Sequence, residues 1–575
     1  MDPHDAAALG LPEPIPSDTT LIAGADPLTP HAVDLQRRGN AFTLLMGHID
    51  EAGSLATRMR LPDAIAPAAL ARMGLTTFGD DLPREMLGAW VLLDWCDKQR
   101  RLTIVTSINP TYTVLVARCG ARLAVSPELA ELARLAWIDT TPDPLSLAAT
   151  LTSFRMDMPA SRATILRQVI SIPAGRVARF DAMQDHVLRV DPRLPPSEWT
   201  GSFEDAVSVA EAMVRAIVRE QLARTPALGI TLSGGLDSSI LAWIASEERD
   251  PRRTIPLLSS AVSAASGLAD EIPFARVVAD HLGEPFLPVI PPDLSPYRPR
   301  VADFRSSIRP TRRPFLHLNR AFGEAAATMG LTHLFYGVMG EMTITAPRLT
   351  SSGLDRLKAI VRPARAWVFA CDLREIWPEA AFATWLAPAL LQALPAEWIE
   401  SRRSPKQRAS SRRPGTPWGY PATISHLLDR EVHDLVQGRV RPLEPFTDIR
   451  LLRLFAGMPV DYAGWGGVDR AMTRTLLRGR LPESIRLRPK GPAFAPDFHA
   501  RLRHHAGAAA ARMPLFRRAG IGAWLDLDRI EARLRAPDTI DRAHAVSAFK
   551  IQFGVQIAEY LLWWVSGRSE QIDDF

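Results

Sequence analysis

Residues 231–240 read TLSGGLDSSI, so a buried strand in this chain runs directly into a helix through a loop with two glycines. The apolar run ALGI precedes the loop, and LAWIASEE follows it. A strand, a short glycine-bearing turn and a helix in this order are typical of a βα unit. This stretch therefore predicts a parallel sheet covered by helices.

The sequence beyond residue 202 repeats this alternation of strands and helices. Apolar residues at helical spacing predict helices over 203–224 and 269–283. Apolar runs predict strands at 227–232, 254–262 and 285–290, and at 331–341 a strand that ends in a glycine-bearing turn. Ligands of such sheets bind at the carboxyl ends of the strands, so the loops found there are the candidate site.

The first 200 residues predict a separate and mainly β domain. Short β-branched or aromatic runs occupy 89–95, 101–107, 112–120 and 175–181, with a helical pattern at 127–137. The proline-rich stretch 189–202 predicts a linker, which gives domains 1–200 and 201–575. Beyond about residue 342 the pattern is mostly helical, and the basic segment 401–417 predicts a solvated or disordered loop, with a mobile lid or a peptide-binding loop as the alternative.

Composition excludes several classes of protein. Cys96, Cys119 and Cys371 are widely separated, which argues against a disulfide framework or a zinc site. No apolar run is long enough to span a membrane, and the acidic, proline-rich start lacks the features of a signal peptide, so a cytoplasmic protein is expected. The net charge of +5 fits an anionic small substrate as well as nucleic acid.

The loop at 232–239 has the composition of an anion-binding site. Gly234 and Gly235 let the backbone approach a phosphate closely, at the point where helix amides point outward. Ser233, Ser238 and Ser239 add donors on the same stretch. A carboxylate beside a polyphosphate is repulsive unless a cation lies between them, so Asp237 predicts Mg²⁺. The spacing does not match the lysine-containing P-loop.

SGGLDSS resembles the pyrophosphate-binding loop of asparagine synthetase-like enzymes, which activate a carboxylate as an acyl-adenylate. Similar segments are ADEIPFARVVADHLG at 269–283, PFTDIRLLRLFAGMP at 445–459 and RAMTRTLLRGRLPESIRLRPKGPAF at 470–494. The resemblance implies an α/β chain in two parts. A degenerate class II amidotransferase domain of the Ntn-type αββα fold would precede an ATP-pyrophosphatase domain, whose parallel sheet is flanked by helices.

The resemblance also implies site residues. The family's second metal-binding loop, SGEGSDE or TGYGSD, corresponds to YGVMGEM at 336–342, so that Gly337 matches its first glycine and Glu341 its metal-binding aspartate. Lys490 matches the lysine that contacts the α-phosphate and the carbonyl oxygen. The implied catalytic residues are Lys490 and Glu341, and the implied metal ligands are Asp237 and Glu341. The implied ATP-binding residues are Leu232, Ser233, Gly234, Gly235, Leu236, Asp237, Ser238, Ser239 and Gly337.

The chain departs from the family pattern at the acyl-acceptor side. Glutamine-dependent members begin their mature chain with a cysteine, where this sequence has Asp2, so we expect no glutaminase activity. Val338 stands where β-lactam-forming members carry a tyrosine and ammonia-channelling members usually a glutamate. Among the family's branches, the lasso peptide macrocyclases resemble this combination most. They adenylate an Asp or Glu side chain of a peptide and join it to the peptide's N-terminal amine.

The resemblance implies a precursor core peptide as substrate, ATP and Mg²⁺ as cofactors, and a leader-peptide protease and a leader-binding protein as partners. Neither nucleic acid nor a membrane is expected to bind. The main alternative is an ammonia-dependent asparagine synthetase, or another small-molecule amide or β-lactam synthetase. A tRNA-thiolating enzyme would need cysteines that are not suitably placed here. A catalytically inactive scaffold is disfavoured because Asp237, Glu341 and Lys490 occur together.

Overall fold

The computed structural model describes most of the chain, and its described residues form two compact units that are treated separately. The described residues are 33–62, 65–108, 114–120, 122–144, 147, 164–181, 185–190, 199–262, 271–305, 310, 315–346, 385–392, 440–489, 497–536 and 545–568.

The first unit is built from antiparallel strands, as its sequence predicts. Its described strands are β1 (Val33–Arg38), β2 (Ala41–Ile49), β3 (Gly88–Cys96), β4 (Arg101–Thr106), β5 (Val114–Cys119), β6 (Arg122–Ser126), β7 (Val169–Ile172), β8 (Arg176–Phe180) and β9 (Asp185–Arg189). Its described helices are α1 (Ala52–Arg58), α2 (Pro67–Phe78), α3 (Leu82–Glu85) and α4 (Leu129–Leu132). The strands form a six-stranded sheet in the order β1-β2-β3-β4-β8-β9 and a three-stranded sheet in the order β6-β5-β7.

Alternating side chains of the larger sheet fill two separate cores. Leu44 and Leu93 pack in one buried cluster with Val116 of the smaller sheet. Their neighbours Leu45 and Leu92 pack in a second cluster that includes Leu70 of α2. Successive side chains of a strand point to opposite faces, so the larger sheet lies between the smaller sheet and the helices.

The helical pattern at 127–137 is longer than the helix that forms. Only Leu129–Leu132 is α-helical. Beyond it the backbone makes shorter i to i+3 hydrogen bonds, such as those from Arg134 N to Glu131 O and from Ile138 N to Leu135 O. The prediction of a full helix was therefore wrong, because tight turns replace helical hydrogen bonds after the first turn.

The second unit alternates strands and helices and ends in a group of helices. In chain order its described elements are α5 (Phe203–Arg224), β10 (Leu228–Thr231), α6 (Leu236–Glu248), β11 (Leu257–Ser260), α7 (Ile272–Leu282), β12 (Phe286–Val289), α8 (Val301–Arg305), α9 (Leu316–Thr328) and β13 (His333–Phe335). They continue with α10 (Pro388–Gln392), β14 (Arg441–Leu443), α11 (Ile449–Gly457), α12 (Ala471–Leu476), α13 (Glu483–Arg486), α14 (Phe498–Ala510), α15 (Met513–Arg518), α16 (Leu527–Leu534) and α17 (Ala545–Val565). No helix among the described residues is long and apolar enough to cross a membrane.

The predicted parallel sheet is confirmed, with strands in the order β12-β11-β10-β13-β14. Ile230 and Phe335 belong to a core that includes side chains of α5 and α6. Leu258 and Leu334 belong to a different core, which contains Phe322 of α9. The sheet is therefore covered by helices on both faces, as a doubly wound α/β fold requires.

The chain reverses its direction of sheet growth at β10. From β10 it adds β11 and then β12 on one side, and it later returns to place β13 on the other side. In open α/β sheets, ligands bind outside the carboxyl ends of the strands at this switch point. The loops that leave β10 and β13 meet there. We call residues 232–235 the first loop and residues 336–341 the second loop.

The PFTDIRL segment, which resembles a family motif, has a structural role among the described residues. Asp448 caps α11 by accepting a hydrogen bond from the backbone N–H of Arg450. The Arg450 guanidinium donates to both carboxylate oxygens of Glu220 on α5, at 3.0 and 2.7 Å. This bidentate pair fixes α11 against the helix that covers the sheet.

Several sequence predictions lie outside the described residues. They include the basic segment 401–417, most of the linker at 189–202, and Cys371. Cys96 and Cys119 are unpaired cysteines within the described part.

Candidate active site

The first loop contains a glycine, Gly234, that other residues could not replace. Gly234 has a φ of +67°, and a Cβ atom there would lie 2.7 Å from the backbone nitrogen of Ala275 in α7. Ser238 Oγ lies 3.2 Å from the backbone nitrogen of Ser233 and 3.3 Å from the carbonyl oxygen of Gly235. The loop is thus held by its own hydroxyl groups and packed closely on α7.

The start of α6 offers backbone donors at the end of the first loop. Gly235 is the N-cap residue, and it supplies no side-chain cap to the first turn. Uncapped amides at a helix N-terminus, together with the helix dipole, attract anions. Leu232 and Leu236 are buried core side chains, so they would contribute to a nucleotide site through their backbone. Ser239 Oγ is buried and has no hydrogen-bond partner among the described residues.

The second loop packs directly against the first turn of α6. A Cβ atom on Gly337 would lie 2.9 Å from the backbone nitrogen of Ser238. A Cβ atom on Gly340 would overlap Oδ1 of Asp237, so the loop or the carboxylate would have to move. Two glycines of the second loop therefore make room for Asp237. The sequence analysis identified Gly337 but overlooked Gly340.

Asp237 is the electrostatic centre of this contact. Burial and the nearby charge of Glu341 raise the pKa of Asp237 to about 7. A hydrogen bond donated by Thr345 to Oδ1 and the positive charge of Arg470 act in the opposite direction. The two carboxylates that the sequence analysis named as metal ligands are therefore close enough for the charge of Glu341 to act on Asp237.

This pair fits a divalent cation. A divalent ion between Asp237 and Glu341 would remove their repulsion, and carboxylate oxygens are ligands that Mg²⁺ accepts. Mg²⁺ also keeps several waters and binds through one or two carboxylates together with phosphate oxygens. The combination of two acids and an anion-binding helix start is chemically suited to a metal–polyphosphate ligand.

The middle of the second loop has an unusual backbone. Met339 has a φ of +68°, which costs an L-residue roughly 1–2 kcal/mol, and its side chain is buried. The neighbouring Val338 side chain is 43% exposed. The loop therefore buries Met339 and presents an aliphatic group, without a titratable atom, beside Gly337.

Arg488 connects the first loop to its surroundings. Its guanidinium donates to the carbonyl oxygen of Ser233 at 3.0 Å and to Glu271 at 2.7 Å, and it lies 3.8 Å from the ring centroid of Phe274. Lys490 follows two residues later but lies outside the described residues. The described chain thus places the residues just before Lys490 against the first loop.

Two further arginines lie on α12 or at its start. Arg470 is only 9% exposed, has a φ of +53° and pairs with Asp469 at 2.7 Å. Arg474 donates to the carbonyl oxygen of Arg488 at 3.2 Å, and burial lowers its pKa. Arg470 thus brings positive charge close to Asp237, and Arg474 supports the backbone of Arg488, whose guanidinium contacts the first loop.

Sequence reasoning missed Thr345, Gly340, Arg470 and Arg488. Thr345 and Asp237 are 108 positions apart along the chain, so no local pattern connects them. Arg470 and Arg488 lie within the segment 470–494 that resembles the family, and this was the available signal. Only the fold shows which of its many arginines approach the loop.

The sheet and its two loops define an α/β protein whose candidate ligand site lies at the switch point. Residues 209–338 and 436–564 match the sequence model of the family described as asparagine synthase. The second unit therefore contains a match to the asparagine synthase domain, and this match supports an asparagine synthetase-like family and suggests an ATP-dependent ligase that forms amide bonds. The comparison with curated proteins found no match.

Proposed function

We propose that this protein is a lasso peptide cyclase that uses ATP and Mg²⁺ to close an isopeptide ring. A carboxylate oxygen of an Asp or Glu side chain in the peptide attacks the α-phosphorus of ATP, and the bond to pyrophosphate breaks. The N-terminal amine then attacks the acyl carbon and loses a proton, while the bond between that carbon and AMP breaks. The net change in the peptide is the loss of one water.

The observation that carries the proposal is the contrast between the two sides of the second loop. On the phosphate side, Asp237 lies in the first turn of the helix with Glu341 close enough to act on its charge, and Gly340 provides the space that Asp237 needs. On the other side, Val338 presents an exposed aliphatic side chain. The residues proposed to bind ATP and Mg²⁺ are present, but position 338 has no group that can carry a proton. This combination suits a peptide substrate whose own N-terminal amine is the nucleophile.

The proposed roles of the site residues follow from their charges. Mg²⁺ held by Asp237 and Glu341 would neutralise the phosphates as pyrophosphate departs. Arg470 supplies fixed positive charge near the same acids. Lys490, by its resemblance to the family lysine, would stabilise charge on the α-phosphate and the carbonyl oxygen.

The test is pyrophosphate release from ATP and Mg²⁺ by the full chain in three reactions. One contains enzyme alone, one adds aspartate with ammonium, and one adds a leader-free candidate precursor peptide. The proposal expects release only with peptide, together with a peptide product lighter by one water in mass spectrometry. Tandem fragmentation then locates the new bond between the N-terminus and an acidic side chain.

A matched pair of variants separates the chemistry from folding. Asp237→Asn removes a carboxylate of the phosphate side, whereas Gly507→Ala changes an exposed glycine of α14 whose added Cβ meets no atom within 4 Å. Peptide-dependent release should be lost in the first variant and kept in the second. Release with aspartate and ammonium, but not with peptide, would make the protein an ammonia-dependent asparagine synthetase instead.

A further inference from the structure

A group of two histidines and one aspartate lies outside the candidate active site. Asp293 follows β12, and His504 and His505 are adjacent residues of α14. One ligand atom from each of the three side chains lies within 4.8 Å of the others. Among the described residues, this is the one group of three metal-ligating side chains gathered so closely.

The separations match those of ligands around one small metal ion. His505 Nε2 is 2.9 Å from Asp293 Oδ1, and His504 Nε2 is 3.5 Å from Asp293 Oδ2. Ligands at Zn–N and Zn–O distances of about 2.1 Å in a tetrahedron are about 3.4 Å apart. Small rotations of exposed side chains therefore convert the present contacts into coordination by three protein atoms.

The backbone that carries Asp293 is already fixed. On one side, the carbonyl oxygen of Pro292 accepts a hydrogen bond from Arg501 at 2.8 Å. On the other side, the carbonyl oxygen of Pro296 accepts bonds from the amides of Gln552 and Gln556. The hydroxyl of Tyr297 also donates to the carbonyl oxygen of Leu502 in α14, at 3.1 Å.

This anchoring holds Asp293 and α14 in a constant relation before any ligand binds. Metal sites gain affinity when their supporting residues are held in place in this way. His505 is itself restricted, since its side chain is only 14% exposed. The backbone around Asp293 and the His505 side chain are therefore held in place, whereas the exposed side chains of Asp293 and His504 adjust when a metal binds.

The Arg501 guanidinium lies near Asp293 but has a second carboxylate partner. Arg501 NH1 lies 3.5 Å from Asp293 Oδ1, but the same guanidinium donates twice to Asp497, at 3.2 and 2.8 Å. Arg501 would thus keep Asp497 as its carboxylate partner if Asp293 coordinated a metal ion. His504, which is 68% exposed, leaves the outer side of the group open to solvent.

We propose that Asp293, His504 and His505 bind a divalent transition metal of the Zn²⁺ class, with a water molecule in the fourth position. Imidazole ligands favour Zn²⁺ over Mg²⁺, whereas the acid pair at Asp237 and Glu341 offers oxygen ligands alone. The protein would therefore bind Zn²⁺ at the histidine group and Mg²⁺ at the acid pair. Zinc here cross-links the segment after β12 to α14.

The test uses the full chain without a histidine tag, freed of metal by a chelator. Zn²⁺ is titrated against a chromophoric competitor, and Co²⁺ is used as a spectroscopic probe of geometry. We expect one tightly bound Zn²⁺ and the intense visible absorption of tetrahedral Co²⁺. His504→Ala and Asp293→Ala should each weaken Zn²⁺ binding at least about tenfold, and each should remove the Co²⁺ spectrum.

The control is His281→Ala, which removes an exposed histidine of α7 that lies near the carbonyl oxygen of Arg480. This variant should bind Zn²⁺ like the unaltered protein. Asp293 and His504 are exposed, so their alanine variants should still fold, as circular dichroism can verify. Equal Zn²⁺ affinity in the unaltered protein and in His504→Ala, or no competition with the chromophore at all, overturns the proposal.

Discussion

Asp237 is a carboxylate whose ionisation is costly in the protein alone, because burial and Glu341 raise its pKa to about 7. The same residue is the proposed metal ligand. A group that is unfavourable for folding and needed for ligand binding is a common compromise in active sites. The compromise can be measured on both sides with one substitution.

Asp237→Asn should stabilise the protein and inactivate it. Asn keeps an oxygen that accepts the Thr345 hydrogen bond but carries no charge. Because the folded pKa lies above the unfolded value of 3.8, the cost of ionisation grows from about pH 4 to pH 7 and is constant above that. We expect the variant to gain at least about 1 kcal/mol at pH 8, measured by urea unfolding without Mg²⁺ or ATP.

The same variant should lose about 10²-fold or more of its ATP-dependent pyrophosphate release. At pH 4 its gain in stability over the unaltered protein should disappear, since both forms are then neutral at position 237. An equal gain at pH 4 and pH 8 would show that the charge of Asp237 is not the cause.

Gly340→Ala tests the contact between the two loops. The new Cβ would overlap Asp237 Oδ1, so the second loop or the carboxylate must move. Overpacking of this kind costs roughly 1–3 kcal/mol, and displaced ligands should abolish pyrophosphate release. Gly507→Ala, in the interior of α14, should instead stabilise by roughly 0.5–1 kcal/mol and leave activity intact. Normal activity in Gly340→Ala would refute the geometry of the acid pair.

At the scale of elements, the segment after α13 is held by the side chain of Arg488. The guanidinium makes two hydrogen bonds and lies against an aromatic ring, which a lysine cannot reproduce. Under the proposed function of Lys490, we predict that Arg488 is a positioning residue for it, because a single residue separates the two along the sequence. Its loss should therefore affect the transition state more than nucleotide binding.

Arg488→Ala should lower kcat by at least about tenfold and change the KM for ATP much less. Arg488→Lys should recover only part of the loss. The exposed Arg478, in the turn after α12, provides a control whose alanine variant should behave like the unaltered protein. A rise in KM with an unchanged kcat would instead make Arg488 a simple contributor to ATP binding.

The strand β13 contains a buried histidine that responds to acid. Burial lowers the pKa of His333 to about 4, against 6.5 when exposed, and its Nδ1 lies 2.8 Å from the Thr332 hydroxyl. As pH falls from 6.5 towards 4, the unfolded chain binds a proton that the folded chain excludes, so stability falls. The full effect of this shift is about 3 kcal/mol.

His333→Leu should therefore flatten the loss of stability between pH 6.5 and pH 4, whatever its effect at neutral pH. The measurement is urea unfolding at a series of pH values, followed by tryptophan fluorescence. Parallel curves for the two proteins would show that His333 does not carry the acid sensitivity of the central sheet.

At the scale of the whole molecule, the two units have separate cores, and the candidate site belongs to the second unit. Binding of ATP with Mg²⁺ should therefore slow amide hydrogen exchange around β10, α6 and the second loop. Strands β2 and β3 of the first unit should exchange as before. Mass spectrometry of peptides from the labelled protein measures both. Equal protection in β2 and β3 would show that the nucleotide acts on the whole chain.

Sequence reasoning predicted much of this fold because the relevant signals are local. The helix over Phe203–Arg224 and the strands β10, β11 and β12 follow from runs of apolar residues beside clear turn signals. The short edge strand β14 contains Pro442, which removes a donor and hides the strand from such patterns. The helix expected at 127–137 failed because its apolar spacing continues through turns.

The residues of the candidate site could be predicted from the sequence where they belong to a family motif. The other residues near Asp237 could not be predicted in this way. Glu341 was found from its place in a loop, and the structure puts it beside Asp237. Thr345 bonds the same carboxylate and the charge of Arg470 acts on it, both from distant parts of the chain, and this depends on how strands and helices pack. Lys490 stays a prediction, since it lies outside the described residues.

The strand order β12-β11-β10-β13-β14 also has a consequence for biosynthesis. The ribosome releases β13 at residues 333–335, but its neighbour β14 emerges only at 441–443. At a synthesis rate of about 5–20 residues per second, β13 remains the unpaired edge strand of the growing sheet for about 5–20 s. Exposed edges attract other strands, so the nascent chain passes through a period of vulnerability to aggregation. Slowed elongation between the two strands should lower the soluble yield, and chaperones that cover strand edges should restore it.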